Sequence, residues 1–291
     1  VHAQKTLRQA QREGVDRRLL DLAWKHLLAS AYETAWYDPV EDGSVAAPFA
    51  KAVASHARAC LVMVDAARWF ARTERSPSAE VTDIDEDGED EVILKGEHLY
   101  AVIAPEHGGR LIYLFTLTPE GGALVVGNPT DDWNFQEELN RYMDNPPNHP
   151  GALADAGFEH DRYLVSALSD GTHAWVEMTN VQEDSRLFGT RKSVLLAPGH
   201  PALAACYRMP EGSGDLATET CLAPDYYRLI REGRPGLSPY NGESWRGFRN
   251  GDVAVWLGLA GDEETGARQA QVIEDLATKR VSGEGPEGYR T

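Results

Sequence analysis

Basic residues are scarce in this chain. Lysine and arginine number 28 against 46 aspartates and glutamates, for a formal net charge of −18 over 291 residues. Nucleic acids and anionic membranes are gripped by clustered Lys and Arg, so this balance argues against both as partners. It favours neutral or cationic partners, and sugars are neutral. Cysteine is scarce too. Cys60, Cys206 and Cys221 are odd in number and have no metal-ligand spacing. They read as reduced thiols of a cytoplasmic protein, with a Cys206–Cys221 bridge as the extracellular alternative. No apolar run approaches the length of a membrane span, and no signal peptide is visible. Methionine is missing from the first position, which is Val1, so we expect a piece of something longer. Also missing are a Gly-x-Ser-x-Gly nucleophile elbow and the strand-to-helix context of a phosphate loop. No zinc or haem spacing is present.

What is there divides by period. The length suggests one large domain or two ordinary ones. Residues 1–76 read as helical. A polar first segment covers 2–12. Asp16 then caps a helix running to about Trp36, with Leu20, Trp24, Leu27, Leu28 and Ala31 on one face. A turn is expected over 37–44. Ser44 is expected to cap a second long helix, with Pro48 in its first turn and Phe49, Val53, His56, Cys60, Val64, Ala67 and Phe70 as its buried stripe. From 79 the period becomes two. Strands are expected at 91–94, 99–104, 110–117, 123–126, 163–168, 173–178, 193–196, 202–209, 216–221, 226–229 and 253–259. Many short strands at this spacing read as an antiparallel sandwich or barrel. The expectation is therefore an α+β chain, with a helical bundle at 1–76 followed by a large antiparallel β-sandwich at 79–291. One insertion, 128–161, carries a short helix near Trp133 and a Pro-rich loop; loops this long are usually functional or disordered.

The stretch Asp83-Ile-Asp-Glu-Asp-Gly-Glu-Asp-Glu91 holds seven acidic residues in nine and runs straight into Val92-Ile-Leu. Asp83, Asp85 and Asp87 stand at positions 1, 3 and 5, Gly88 at 6 and Glu91 at 9. Alternate oxygens on a loop that turns at glycine can converge on one hard cation. An EF-hand would need glutamate at position 12, where Leu94 stands. A nine-residue calcium loop between strands, with a backbone oxygen from Glu89, remains open. So does a solvated acidic turn whose charges face water. In the first case calcium would be structural.

Two segments carry a family resemblance. Ala23-Trp-Lys-His-Leu-Leu-Ala-Ser-Ala-Tyr-Glu-Thr-Ala-Trp-Tyr-Asp-Pro39 resembles the helix that follows the catalytic barrel in family 57 glycoside hydrolases. These include amylases, 4-α-glucanotransferases and glycogen-branching enzymes. The acidic loop with Leu99-Tyr-Ala-Val-Ile-Ala-Pro-Glu-His-Gly-Gly-Arg-Leu-Ile-Tyr-Leu114 resembles the opening of the C-terminal sandwich in the glucanotransferase branch, and that of mutarotase-type sandwiches. In that family the nucleophilic Glu and the acid Asp lie on an incomplete barrel preceding the helices, and no length here can hold it. The resemblance thus implies a non-catalytic C-terminal portion of an α-glucan enzyme. It implies an N-terminal catalytic barrel of the same parent chain as partner, α-glucan or another neutral carbohydrate as ligand, and Glu33, Trp36 and Tyr37 beside the substrate cleft. Burial in the helix is the alternative for Trp36.

Other constellations compete. Gly157-Phe-Glu-His-Asp-Arg-Tyr163 could supply Glu159 and His160 as base and acid at a sugar ring, the chemistry of aldose 1-epimerases. It could equally be a strand entrance where Glu159 or Asp161 pairs with Arg162 or Arg141. Glu106-His-Gly-Gly-Arg110 reads as a hairpin connection, with Arg110 the alternative anchor for a carboxylate or sugar hydroxyl. Among the tryptophans, Trp256 reads as core, and Trp245 is the candidate platform for the apolar face of a sugar. A stand-alone carbohydrate-binding module is the remaining reading.

Overall fold

In the computed structural model, residues 1–30, 37–40, 43–46, 48–127, 151–214, 216–220, 222, 237–242 and 245–258 are described. Three helices occur among them: α1 (His2–Glu13), α2 (Arg17–Ser30) and α3 (Pro48–Phe70). Helix α1 ends at Gly14, whose φ of 71° is the left-handed cap that glycine adopts without strain. Asp16 caps α2 as expected: its Oδ1 accepts from Leu19 N at 2.9 Å. The same side chain reaches further, since Oδ2 accepts from Gly122 N at 2.9 Å. Its backbone N–H donates to Ala67 O at 3.3 Å. One aspartate thus joins α2, α3 and a strand. Helix α2 is described as far as Ser30, whose hydroxyl bonds back to Leu27 O at 2.7 Å. Residues 31–36, including Glu33 and Trp36, lie outside the described residues. Where a turn was expected, β1 (Tyr37–Val40) and β2 (Gly43–Ala46) form a small antiparallel hairpin. Ser44 therefore sits in a strand, and α3 begins at Pro48, a residue suited to a first helical position.

The remaining strands pair antiparallel throughout the described residues. A five-stranded sheet runs in the order β3 (Ser78–Thr82), β4 (Glu91–Lys95), β5 (Leu99–Ala104), β6 (Arg110–Thr118), β7 (Gly121–Gly127). The pair β8 (Ala154–Asp155) and β13 (Thr218–Glu219) is a two-residue ladder. A four-stranded sheet has the order β12 (Leu203–Arg208), β11 (Arg191–Leu196), β10 (Ala174–Asn180), β9 (Tyr163–Ser169). A three-stranded sheet has β14 (Leu237–Pro239), β15 (Trp245–Asn250) and β16 (Val253–Gly258) in sequence order. The strand expected over 216–221 shrinks to β13; the strand expected at 226–229, and the short helix and Pro-rich loop expected within 128–150, lie outside the described residues. The chain is α+β and mostly antiparallel sheet.

The five-stranded sheet is covered on both sides. In β4 and β5 every residue is buried. Alternation along a strand sends Ile93, Tyr100, Val102 and Ala104 to one face, where they meet Leu7, Leu19, Leu22, Met63 and Phe70 of the helices. Val92, Leu94, Ala101 and Ile103 go to the other, where they meet Val176, Met178, Val194 and Leu196 of the four-stranded sheet. Polar ties fix the helical side. Trp69 Nε1 donates to Gly96 O at 2.8 Å, and Tyr100 OH donates to Asp65 Oδ2 at 2.7 Å. Lys95 Nζ lies between Glu80 at 2.6 Å and Asp65 at 3.1 Å. The third sheet packs Phe248 and Val255 onto the inter-sheet core and Val253 onto Ala123 and Val125. No described helix is long and apolar enough to cross a membrane.

Asp16→Ala removes a helix cap and the Gly122 partner together. We expect a loss of about 2–3 kcal/mol in urea unfolding; a loss near zero would refute the joint role of this carboxylate.

Candidate functional site

The acidic stretch is the connection of the β3–β4 hairpin, residues 83–90. Its backbone folds over its own side chains. Asp83 accepts from Asp87 N and Gly88 N, each at 3.0 Å, and Asp85 Oδ1 accepts from Asp87 N at 3.1 Å. Glu91 Oε2 accepts from Ile84 N at 3.1 Å. Glu86 and Gly88 take positive φ, 63° and 101°, which closes the loop. The result brings carboxylate oxygens of Asp83, Asp85 and Glu91 within 4.8 Å of one another. Glu91 is 1% exposed and Asp85 8%, so these two charges do not face water as a solvated turn would require. An all-oxygen set suits a hard cation.

The side chains of Asp87 and Glu89 have other partners, and Glu89 was expected to offer only its backbone oxygen. Asp87 Oδ1 accepts from Glu89 N at 2.8 Å, and its Oδ2 is 3.9 Å from Arg58 of α3. Glu89 Oε2 lies 2.8 Å from His107 Nε2. Glu86 lies 3.1 Å from His2 at the start of α1. The loop is thereby tied to two helices and to the β5–β6 connection.

That connection, residues 105–109, is the hairpin expected at Glu106–Arg110. Arg162 pairs with Glu106, not with Asp161 or Glu159. Asp161 Oδ2 instead accepts from Asn180 Nδ2 at 2.6 Å and from the Ser185 hydroxyl. Glu159 Oε1 accepts from Gly157 N at 2.8 Å. His160 is exposed, with its ring 6.3 Å from that of His107.

Below this surface lies a buried polar network. Lys192 and Asp155 are both 0% exposed, with Nζ 3.6 Å from Oδ2. Lys192 Nζ also donates to Leu153 O at 2.6 Å. Tyr207 OH donates to Asp155 Oδ1 at 3.0 Å, and Tyr163 OH to Oδ2 at 3.2 Å. Burial pushes the Asp155 carboxyl up against the pull of Lys192 and the two phenols. Burial likewise holds the Lys192 ammonium down at about 8; Asp155 opposes that shift and the nearby Arg110 guanidinium adds to it. One signal for Lys192 was legible: alternation places it on the same face as Val194 and Leu196.

The tryptophans divide differently from expectation. Trp256 is 55% exposed, not core, because Val253 and Val255 take the inward positions of β16. It lies 5.8 Å from the half-buried Trp245, ring to ring, and Trp245 lies 4.5 Å from Tyr240. The Arg249 guanidinium sits 4.5 Å from the Tyr240 ring centroid. Trp175 is half-buried, opposite Leu168 and Leu195. Tyr37 opens β1; its side chain lies outside the described set, as does Cys221. Cys60 is buried and Cys206 exposed, both as free thiols.

No protein-family model matches this chain, and no curated protein matches it. Among solved structures, a 4-α-glucanotransferase from Thermococcus litoralis is similar at a TM-score of 0.39 and 15% identity, over 67% of this chain and 33% of that one. The chain thus spans about a third of that protein's length. A likeness at this level carries no argument about fold or activity.

Lys192→Met strands a buried carboxylate, and we expect it to cost about 3 kcal/mol. The ionisation of Lys192 has a definite sign. The unfolded lysine keeps its proton to its ordinary value near 10.5, while the folded one releases it at about 8. Stability therefore rises with pH above about 8, and this contribution is lost as pH falls through 8. Unfolding midpoints measured below the tyrosine range should show that rise in the wild type and a flatter profile in Lys192→Met.

Proposed function

We propose that this chain is the non-catalytic, helical and sandwich C-terminal portion of an α-glucan-acting enzyme of the family 57 type, which stabilises that enzyme and contacts its glucan. On this reading residues 1–76 border a catalytic barrel of the same parent chain, and residues 79–291 form the sandwich. The observation that carries the non-catalytic part is where the chemically displaced groups lie. Shifted acidities usually mark active sites. Among the described residues, strongly displaced ones such as Lys192 with Asp155, Tyr100 with Asp65, and His26, held down at about 3 by burial beside His56, belong to groups buried in structural contacts. The glucan assignment rests on the two sequence segments quoted above, and Trp245 on its half-exposed aromatic setting supports contact with a neutral sugar.

The isolated chain, incubated with maltooligosaccharides, is expected to give no hydrolysis or transfer. Turnover above the no-enzyme rate would overturn the non-catalytic reading. Faster anomer interconversion that disappears in Glu159→Gln or His160→Ala would replace it with an epimerase.

Calcium at Asp83, Asp85 and Glu91 belongs to the same proposal as a structural ion that pins the acidic loop against α1 and α3. A cation bound by the native state alone stabilises it. A chelator should lower the melting temperature of the wild type and leave Asp85→Asn unchanged; no shift in the wild type would remove the ion from the proposal.

A further inference from the structure

We infer that the outward face of the β14–β16 sheet is a binding surface for an α-1,4-linked glucan chain, formed by Tyr240, Trp245 and Trp256 with Arg249 at its edge. This inference rests on the carbohydrate reading above and adds to it a site.

The rings form a continuous surface. Tyr240 and Trp245 are in contact, as are Trp245 and Trp256, and the outermost indole is more than half exposed. The opposite face of the hairpin is fixed, because Phe248 and Val255 pack into the core and Val253 is buried. Glycines seat the indoles. A Cβ at Gly242 would collide with the Trp245 ring, and one at Gly247 would sit 2.6 Å from Trp256 Cα and Cβ. Backbone bonds hold the segment in place: Tyr240 N to Gly247 O at 2.8 Å and Gly242 N to Trp245 O at 3.0 Å. Arg246 Nη1 reaches the carbonyls of Gly242 at 2.5 Å and Trp245 at 2.9 Å. The rings are therefore held in place before any ligand arrives, which lowers the ordering cost of binding.

Ring geometry selects the ligand. The C–H faces of a pyranose are apolar and stack on aromatic rings, while its hydroxyls point outward to polar groups. Successive rings here meet at 49° and 50°, so they do not make a plane. A β-1,4-linked chain is a flat ribbon and needs coplanar rings. An α-1,4-linked chain turns at each residue, and tilted rings can follow it. Charge selects a neutral glycan, whatever its linkage. A net charge of −18 repels polyanionic glycans, and the exposed Arg249 offers several N–H donors to neutral hydroxyls.

The test is titration of the full chain with maltoheptaose and with cellohexaose, read by calorimetry and tryptophan fluorescence. Trp256→Ala, Trp245→Ala and Arg249→Ala are compared with wild type after their melting curves confirm folding. Trp256 is exposed, so its removal leaves the core intact. The wild type is expected to bind maltoheptaose and not cellohexaose, and Trp256→Ala to weaken binding roughly tenfold. Maltoheptaose binding that Trp256→Ala and Trp245→Ala leave unchanged would overturn this site while sparing the glucan reading. Preference for cellohexaose, lost in Trp256→Ala, would overturn the linkage and the α-glucan assignment while locating a sugar site. Binding of neither sugar would overturn both.

Discussion

Strands β4 and β5 have no solvent face, and much of the architecture follows from that. Every residue from Glu91 to Lys95 and from Leu99 to Ala104 is buried, which requires a layer on each side of the five-stranded sheet. The helices supply one layer and the four-stranded sheet the other. Fully burying an aliphatic or aromatic side chain contributes about 1.5–3 kcal/mol, so uncovering Ile93, Val102 and Phe115 on one side, or Leu94 and Ile103 on the other, would cost an amount comparable with a domain's net stability. The helical layer shares its core with the sheet, and Asp16 and Trp69 bind it there by hydrogen bonds to Gly122 and Gly96.

The same constraint governs the charges. A chain with so many carboxylates keeps most of them in water, but the sheet draws a few inside. Glu91 opens β4 and is buried with it, and Asp85 follows at the loop. The loop answers with backbone N–H donors to four of its own carboxylates and with Arg58, His107 and His2 around its rim. Between the sheets, Lys192 and Asp155 are balanced by each other, by two phenols and by the Leu153 carbonyl. Such a network is costly to break, and burial is the largest cause of its shifted acidities. The surface of the β14–β16 hairpin has the opposite character: uncharged rings on a rigid backbone, with one arginine at the edge.

The amino-acid sequence by itself determined the buried Cys60, Val64, Ala67 and Phe70 of α3, the cap at Asp16, the period-two strands from 91 onward and the glycine turn between β5 and β6. These are local: each depends on residues a few positions apart, and the physics of capping and alternation acts over that range. It also placed the acidic residues on one hairpin connection, but it misplaced the face of α2, where Leu28 is 65% exposed and Leu19, Leu22 and Ala23 are buried. Only the tertiary structure decided that the side-chain oxygens of Asp83, Asp85 and Glu91 cluster, and that Arg58 and His107 from other elements lie beside Asp87 and Glu89. Only register decided the tryptophans. Val253-Ala-Val-Trp-Leu reads as a core strand until pairing sets Trp256 opposite Gly247 and Val255 opposite Phe248, which sends the indole outward. Lys192 was legible as an inward position from its alternation with Val194 and Leu196, but its partner Asp155 lies 37 residues away in a short ladder that no local pattern announces. Contacts between distant segments depend on how the layers stack, and stacking is a property of the whole chain.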